Sequence, residues 1–98
     1  MIKGKIRVAI IGTGRISDLH AIEYLHNPDT EIVALCDSDI ALAKTRAKKW
    51  GCGKSVKIEK DIDKVLADSD VDLVELLLPH HLHLPVALKS IEAGKIIS

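Results

Sequence analysis

The sequence predicts a doubly wound α/β fold, in which helices cover both faces of a parallel sheet. Short apolar runs alternate with helical patterns along all 98 residues, and such alternation is typical of βαβ units. Hydrophobic residues make up 47% of the chain and aromatic residues only 2%, so the core is aliphatic, as in parallel strands buried on both faces. The first apolar run breaks into a glycine-rich turn, Gly12-Thr13-Gly14. A chain of this length forms one domain, residues 1–98.

The order of the elements follows from the apolar spacing and from the residues that end each segment. Strands are predicted at residues 6–11, 31–36, 56–58, 71–78 and 95–98, and helices at residues 15–26, 40–50, 62–67 and 82–93. Pro28 follows the first helix, Asp39 is placed to cap the second, and Gly94 closes the fourth. Right-handed crossovers then give the strand order 3-2-1-4-5, a sheet that is incomplete at its C-terminal side.

Two helix surfaces can be assigned from side-chain spacing. In the first helix we expect one face to contain Ile16, Leu19, Ile22 and His26. In the second helix we expect the cations to form the solvated side rather than an anion site; they are Lys44, Arg46, Lys48 and Lys49.

The turn after the first strand has the layout of a dinucleotide-binding, Rossmann-type βαβ unit. Gly12 permits the sharp turn out of the strand, because a residue without Cβ tolerates positive φ. Gly14 lacks the side chain that would keep a pyrophosphate from the backbone. The amides of Gly14, Arg15 and Ile16 open a helix whose positive end favours an anion. The motif reads G-x-G-x-x-S, because Ser17 replaces the third glycine, and a small serine should fit where the helix packs on the strand.

An acid follows the second strand at the distance that this motif requires. Asp37 lies about 20 residues beyond Ser17, where a carboxylate can accept hydrogen bonds from both hydroxyls of an adenine ribose. A carboxylate repels a 2′-phosphate, and no cation follows directly, so the expected cofactor is NAD, with NADP less favoured. Thr13 and Ser38 are expected to border the cofactor as well. The alternatives are that the glycine turn is only structural, that Asp37 only caps the second helix, and that Arg15 is solvated rather than placed along the pyrophosphate.

Three histidines lie close together after the fourth strand, at His80, His81 and His83. They cannot all converge on one ion at the end of a strand, and no carboxylate or thiol stands beside them, so we predict no metal site. The segment follows the strand next to the topological switch point, where ligands bind in open α/β sheets. We therefore expect Leu78, Pro79, His80 and His83 to border the cofactor.

Composition excludes several other function classes. Lys plus Arg and Asp plus Glu both number 14, so the chain has neither a basic excess for nucleic acid nor an acidic tail. No apolar run approaches the roughly 20 residues that span a bilayer, and no signal peptide is recognisable. Cys36 and Cys52 fit no metal or redox spacing. We expect a cytoplasmic protein that contacts neither nucleic acid nor membrane.

Three segments, in order along the chain, resemble the glucose–fructose oxidoreductase / inositol dehydrogenase family. Residues 7–20, RVAIIGTGRISDLH, resemble its opening. Residues 71–83, VDLVELLLPHHLH, resemble its V-D-x-V-x-x-x-T-P-x-x-x-H segment, and residues 87–95, ALKSIEAGK, are similar to its A-x-x-x-L-E-A-G-K stretch. Leu78 stands where the family usually has threonine, which weakens the expectation of a polar contact to the nicotinamide half. His83 matches the family's histidine, placed either to cap the following helix or to line the nicotinamide pocket.

The resemblance implies an N-terminal nucleotide-binding domain of an NAD(P)-dependent oxidoreductase that acts on a sugar, a cyclitol or a related polyol. In the family, an E-K-P motif with a catalytic lysine follows the fifth strand, and a larger C-terminal α/β domain contacts the substrate. Residues 1–98 include neither, so we expect a truncated chain, rather than one completed by a second chain, that binds nucleotide without turnover and has no catalytic residue. The unfinished sheet predicts a homo-oligomer formed through an exposed edge or swapped elements.

Two other functions fit parts of the same pattern. A stand-alone nucleotide-sensing or assembly module has the same glycine turn and never had a catalytic half. A methyltransferase also uses a glycine turn and a strand-two acid on a ribose, but its sheet ends in an antiparallel hairpin, and it leaves residues 79–83 unexplained.

Overall fold

The computed structural model describes residues 5–14, 16–52 and 56–98, and within them strands and helices alternate. The strands are β1 (Ile6–Ile11), β2 (Thr30–Cys36), β3 (Lys57–Glu59), β4 (Leu73–Leu76) and β5 (Ile96–Ile97). The helices are α1 (Ser17–His26), α2 (Ile40–Lys49), α3 (Ile62–Ala67) and α4 (His80–Glu92). The strands pair in parallel in the order β3-β2-β1-β4-β5, which confirms the predicted fold. None of the helices in the described ranges is long and apolar enough to cross a membrane.

The central strand β1 contributes to two cores, one on each face of the sheet. Val8 and Ile10 belong to the cluster that packs under α1 and α2. Ala9 and Ile11 belong to the cluster that packs under α3 and α4. Because successive side chains of a strand point to opposite faces, a strand covered on both sides needs the continuous apolar run that the sequence has here. The turns that follow β1 and β4 meet at the carboxyl edge of this sheet.

β1 and α3 have the predicted bounds, and the other elements differ from the sequence prediction by one or two residues; two of these differences, in β4 and α4, lie near the carboxyl edge of the sheet. β4 covers residues 73–76 rather than 71–78, because its partner Ile11, paired with Leu76, is the last residue of β1. The chain then bends at Gly12, and the ladder ends with the bond from the amide of Leu77 to the carbonyl oxygen of Ile11 at 2.8 Å. α4 begins at His80 rather than at residue 82, with Pro79 as the N-cap.

The apolar stripe of α1 faces solvent rather than the sheet. Ser17 and Ala21 are fully buried, whereas Ile16 and Leu19 are 56% and 68% exposed. The two small side chains let the helix approach the sheet closely, and larger side chains on that face would hold it away. The apolar residues of the stripe therefore point outward; Ile22 and His26 are exposed as well.

Two polar contacts tie β4 to the first half of the chain. Arg7 donates from Nε and Nη2 to the carboxylate of Asp72 at 3.1 and 3.2 Å, and from its amide at 2.9 Å. Glu75, which is 6% exposed, accepts a hydrogen bond from the Tyr24 hydroxyl at 3.0 Å, and Nδ1 of His20 lies 3.2 Å from the same oxygen. Both α1 and β1 are thereby fixed against β4, and this fixes the position of the turn between them.

Candidate functional site

The turn between β1 and α1 brings the backbone close to the end of β4. Gly12 has a φ of +100°, and a Cβ added to it would lie 2.4 Å from the carbonyl oxygen of Leu77. A side chain at this position therefore requires the backbone to move. Gly14 differs, because a Cβ added there meets no atom within 4 Å. The glycine turn, defined as Gly12–Gly14, is thus closed toward β4 and open at Gly14.

Thr13 and Asp37 form the polar centre of the site. The amide and the hydroxyl of Thr13 both donate to Oδ2 of Asp37 at 2.8 Å. The other oxygen, Oδ1, accepts a hydrogen bond from the amide of Asp39 at 2.8 Å. Partial burial raises the pKa of Asp37, but the hydrogen bonds from Asp39 and Thr13 outweigh it, so that the pKa lies below its usual value. Asp37 is therefore an ionised carboxylate in a fixed orientation at neutral pH.

Ser17 fits the position of the third glycine, as the sequence predicts. It is fully buried, and its amide and hydroxyl donate to the carbonyl oxygen of Gly14 at 3.0 and 2.5 Å. These bonds direct the start of α1 at the glycine turn. Arg15 lies outside the described residues, so its contact with a pyrophosphate stays a prediction. Ile16 is the N-cap residue of α1 and is exposed.

Arg46 supports the glycine turn from α2, which the sequence pattern did not predict. Its Nε donates to the carbonyl oxygen of Thr13 at 3.0 Å, and its Nη1 lies 3.8 Å from a carboxylate oxygen of Asp18. The Arg46 side chain is only 16% exposed. The rotation of α2 that buries Ala43 and Ala47 turns this arginine toward the glycine turn. Its assignment to the solvated side of the helix was therefore wrong.

A cleft of about 400 Å³ opens at the carboxyl edge of the sheet, bordered by the turns that follow β1, β2 and β4. Most residues predicted to border a cofactor line it: Gly12, Thr13, Gly14, Asp37, Ser38, Leu78 and Pro79. His80 and His83 lie in the first turn of α4 and are exposed. They stand outside the lining of this cleft, as does Ile16, and their contacts with a cofactor stay predictions.

Two walls of the cleft come from segments that the glycine motif does not include. Lys60, directly after β3, and Ile62, at the start of α3, line the side next to Asp37. The pairing of β3 with β2 causes this, because the amide of Asp37 donates to the carbonyl oxygen of Glu59 at 3.1 Å. No cation directly follows Asp37 in the sequence, so the local pattern does not reveal Lys60, which strand pairing brings to the same cleft.

The residues present fit a dinucleotide. The open backbone at Gly14 and the positive end of α1 suit a pyrophosphate. The ionised Asp37 is a hydrogen-bond acceptor for a sugar hydroxyl. Ile62 and Leu82 give the same cleft an apolar wall for a planar base.

A family model described as "Oxidoreductase family, NAD-binding Rossmann fold" matches residues 6–97. The chain belongs to this family. It is the glucose–fructose oxidoreductase / inositol dehydrogenase family that the three sequence segments resemble, so the resemblance is confirmed, and with it NAD as the cofactor of the domain.

Named members of this oxidoreductase family match almost the whole chain. D-glucoside 3-dehydrogenase of Escherichia coli (strain K12) is 35% identical over 96% of the chain and 26% of the relative. Myo-inositol dehydrogenase from Lactobacillus casei, solved with NAD(H) and myo-inositol, is 26% identical with a TM-score of 0.86, over 95% of this chain and 27% of that one. A variant of a 3-ketoreductase from Actinomadura kijaniata, solved with TDP-benzene and NADP, is 28% identical with a TM-score of 0.84. The match covers 95% of this chain and 29% of that one. The chain spans about a quarter of the length of the curated relatives it matches.

Proposed function

We propose that this chain binds NAD as the cofactor domain of a dehydrogenase that acts on a sugar, a cyclitol or a related polyol. The observation that carries the proposal is the open backbone of Gly14, which borders the same cleft as the fixed carboxylate of Asp37. An anion-binding helix start and a ribose acceptor on one cleft are the two contacts that a dinucleotide needs. The substrate class is supported by relatives named for the dehydrogenation of a glucoside and of inositol.

The residues of this chain bind and orient the cofactor. We assign the pyrophosphate to the glycine turn and the start of α1, the adenine ribose to Asp37 and Ser38, and the nicotinamide half to the segment Leu78–His83. When bound, NAD supplies the hydride acceptor at nicotinamide C4. We assign no proton acceptor for a substrate within residues 1–98, and we therefore propose that these residues bind nucleotide without turnover.

We further propose that NAD is preferred to NADP, and that the protein is cytoplasmic. The ionised Asp37 repels a 2′-phosphate on the ribose that it contacts. Lys60 lines the same cleft and opposes this effect. We therefore expect a preference for NAD rather than complete exclusion of NADP.

Thermal unfolding with NAD, with NADP and without ligand tests the proposal. At about 1 mM nucleotide and a dissociation constant of roughly 10 μM, mass action stabilises the folded chain by about 2.7 kcal/mol. For a domain of this size, such a gain raises Tm by roughly 10 °C or more. We expect this rise with NAD and a smaller one with NADP. No rise with NAD would contradict nucleotide binding by residues 1–98.

Gly14→Ala is the variant that separates the site from the fold. The added methyl group meets no protein atom, so the Tm without ligand should stay at or slightly above the wild-type value. The same methyl group fills the space that a pyrophosphate needs next to the backbone, so the rise in Tm with NAD should be lost. A rise that survives in Gly14→Ala would place the nucleotide elsewhere.

We also propose that the chain self-associates. α4 buries Val86 and Ser90, while Leu84, Leu88 and Ile91 on its opposite side are 66%, 53% and 62% exposed. At this spacing they form one apolar stripe, a surface of the kind that mediates protein contacts. Sedimentation velocity of the wild type at millimolar concentration should show a dimer or larger species, and Leu88→Gln should reduce it. A wild-type chain that is monomeric throughout contradicts this proposal.

A further inference from the structure

Thr13 lies in the glycine turn, but its side chain is not available to a ligand. The residue is fully buried, and its hydroxyl donates to Asp37 at 2.8 Å. Its carbonyl oxygen in turn accepts the hydrogen bond from Nε of Arg46. The bonds to Asp37 and the bond from Arg46 hold Thr13 in place, so the orientation of its hydroxyl is set before any ligand arrives.

The donors around Asp37 leave little of its carboxylate free. A carboxylate has about four lone-pair positions for hydrogen bonds. The amide and the hydroxyl of Thr13 use both positions of Oδ2, and the amide of Asp39 uses one position of Oδ1. One position on Oδ1 stays open for a ribose hydroxyl. The exposed hydroxyl of Ser38 competes for that position, and its hydrogen bond also lowers the pKa of Asp37. The expectation that Asp37 accepts from both ribose hydroxyls does not fit this arrangement.

The fixed orientation matters for discrimination between nucleotides. A carboxylate that is free to rotate can turn away from a 2′-phosphate. The repulsion between the two charges is then small, because nothing holds the carboxylate beside the phosphate. A carboxylate held at both oxygens cannot turn away, so the full repulsion acts on the 2′-phosphate. Asp39 and Thr13 contribute two amides that any residue would supply. The Thr13 hydroxyl is the side-chain donor of the three and gives Oδ2 its second bond, so losing it loosens the carboxylate while one amide still holds each oxygen.

We infer that Thr13 is a specificity-determining residue, whose buried hydroxyl fixes the Asp37 carboxylate toward the ribose and thereby sets the preference for NAD over NADP. This inference rests on the proposed nucleotide site. Its readout is the ratio of the two dissociation constants, because a purely structural role of Thr13 would weaken NAD and NADP by the same factor.

The test compares NAD and NADP affinities, from isothermal titration, in four variants of the chain. Thr13→Val removes the hydroxyl at nearly constant volume, and Thr13→Ala removes it without any risk of a steric clash, should the valine variant not fold. In both, the ratio of the NADP to the NAD dissociation constant should fall by about threefold to tenfold, because a carboxylate held by one bond fewer can turn further from the 2′-phosphate. Thr13→Ser keeps the hydroxyl and should keep the wild-type ratio.

Thr45→Val is the matched control, because the Thr45 hydroxyl bonds only locally, to the carbonyl oxygen of Ala41 on an exposed part of α2. It should leave the ratio unchanged. An unchanged ratio in both Thr13→Val and Thr13→Ala, with NAD and NADP weakened alike, would overturn the inference and leave the proposed function intact. Failure of the wild type to bind NAD would overturn the proposed function, and this inference with it.

Discussion

Two turns lie beside each other at the carboxyl edge of the sheet, and they are held in opposite ways. The glycine turn, after β1, contains the fully buried Thr13 and is bonded to Asp37 and Arg46. The histidine turn, defined as Pro79–His83 after β4, is exposed throughout, and α4 begins there without a side-chain cap. The two turns border the same cleft from neighbouring strands.

The difference indicates which half of the cofactor site is organised before binding. Contacts with Asp37 after β2, Arg46 on α2 and Ser17 on α1 fix the glycine turn, so a pyrophosphate and a ribose bound as proposed would meet a preformed site. The histidine turn has few contacts that fix its side chains, so it must be ordered by whatever it meets. Preorganised groups bind without an ordering cost, and we therefore expect the glycine turn to supply most of the affinity.

Gly12→Ala should have the largest effect on stability, because it disrupts the glycine turn, which has more fixing contacts than the histidine turn. The new Cβ would lie 2.4 Å from the carbonyl oxygen of Leu77 at a φ of +100°, and we expect a loss of about 3–4 kcal/mol in the free energy of unfolding. Gly51→Ala is the control, since Gly51 has a φ of +69° but open space around its Cβ position. It should cost only about 1 kcal/mol. If urea unfolding gave equal losses of unfolding free energy for the two variants, the clash with Leu77 would not contribute to the destabilisation.

Asp72→Asn tests whether nucleotide preference depends only on contacts near the two turns. Arg7 and Asp72 join β1 and β4 at the amino edge of the sheet, opposite the turns. The hydrogen bond from Arg7 lowers the pKa of Asp72, and both side chains are 15% exposed. Removing the charge should cost about 2 kcal/mol at pH 7 without changing the ratio of NADP to NAD affinity. Asp70→Asn is the control, because Asp70 is 60% exposed, and it should cost less than about 0.5 kcal/mol.

The pH dependence of the same variant follows from the direction of the pKa shift. Because the folded pKa of Asp72 lies below that of the unfolded chain, about 3.9, its contribution to stability is complete above that pH. The contribution is lost as the pH falls through the lower, folded pKa. The free energy of unfolding of Asp72→Asn should therefore fall less steeply in acid than that of the wild type. Parallel acid curves for both chains would contradict this assignment.

Lys60→Gln should have a smaller effect, confined to one ligand. Lys60 reaches the cleft next to Asp37, and its charge favours a 2′-phosphate. We expect the variant to weaken NADP by about 1 kcal/mol in isothermal titration and to leave NAD unchanged. Lys64→Gln, on the exposed side of α3, is the charge-matched control and should change neither. A loss of NAD affinity in Lys60→Gln would mean that the lysine contacts a part shared by both nucleotides.

Local signals in the sequence were sufficient for the framework of the site. The glycine turn could be predicted because positive φ at Gly12 is a property of a single residue. The cap at Asp39 could be predicted because its bond to the amide of Leu42 spans three residues. The strand order followed from the alternation of elements and the handedness of their connections.

The parts that could not be predicted depend on contacts between distant segments. The inward turn of Arg46 depends on which face of α2 packs on the sheet. Lys60 lies at the same cleft as Asp37 only because of the register of β3 with β2. The buried face of α1 could not be predicted from hydrophobicity, which favours Leu19, because close packing selects the small side chains of Ser17 and Ala21. These features depend on tertiary packing and strand register, which local patterns in a single sequence do not specify.

The smallest effects are expected in the histidine turn. His83→Ala should change the free energy of unfolding by less than about 0.5 kcal/mol, because the side chain is exposed. It should lower the stabilisation by NAD by only about 0.5 kcal/mol, since the segment is not held in place before binding. His26→Ala is the control, an exposed histidine at the far end of α1, and should have neither effect. If His83→Ala removed most of the NAD-dependent rise in Tm, the affinity would reside in the exposed turn, and the contrast between the two turns would be reversed.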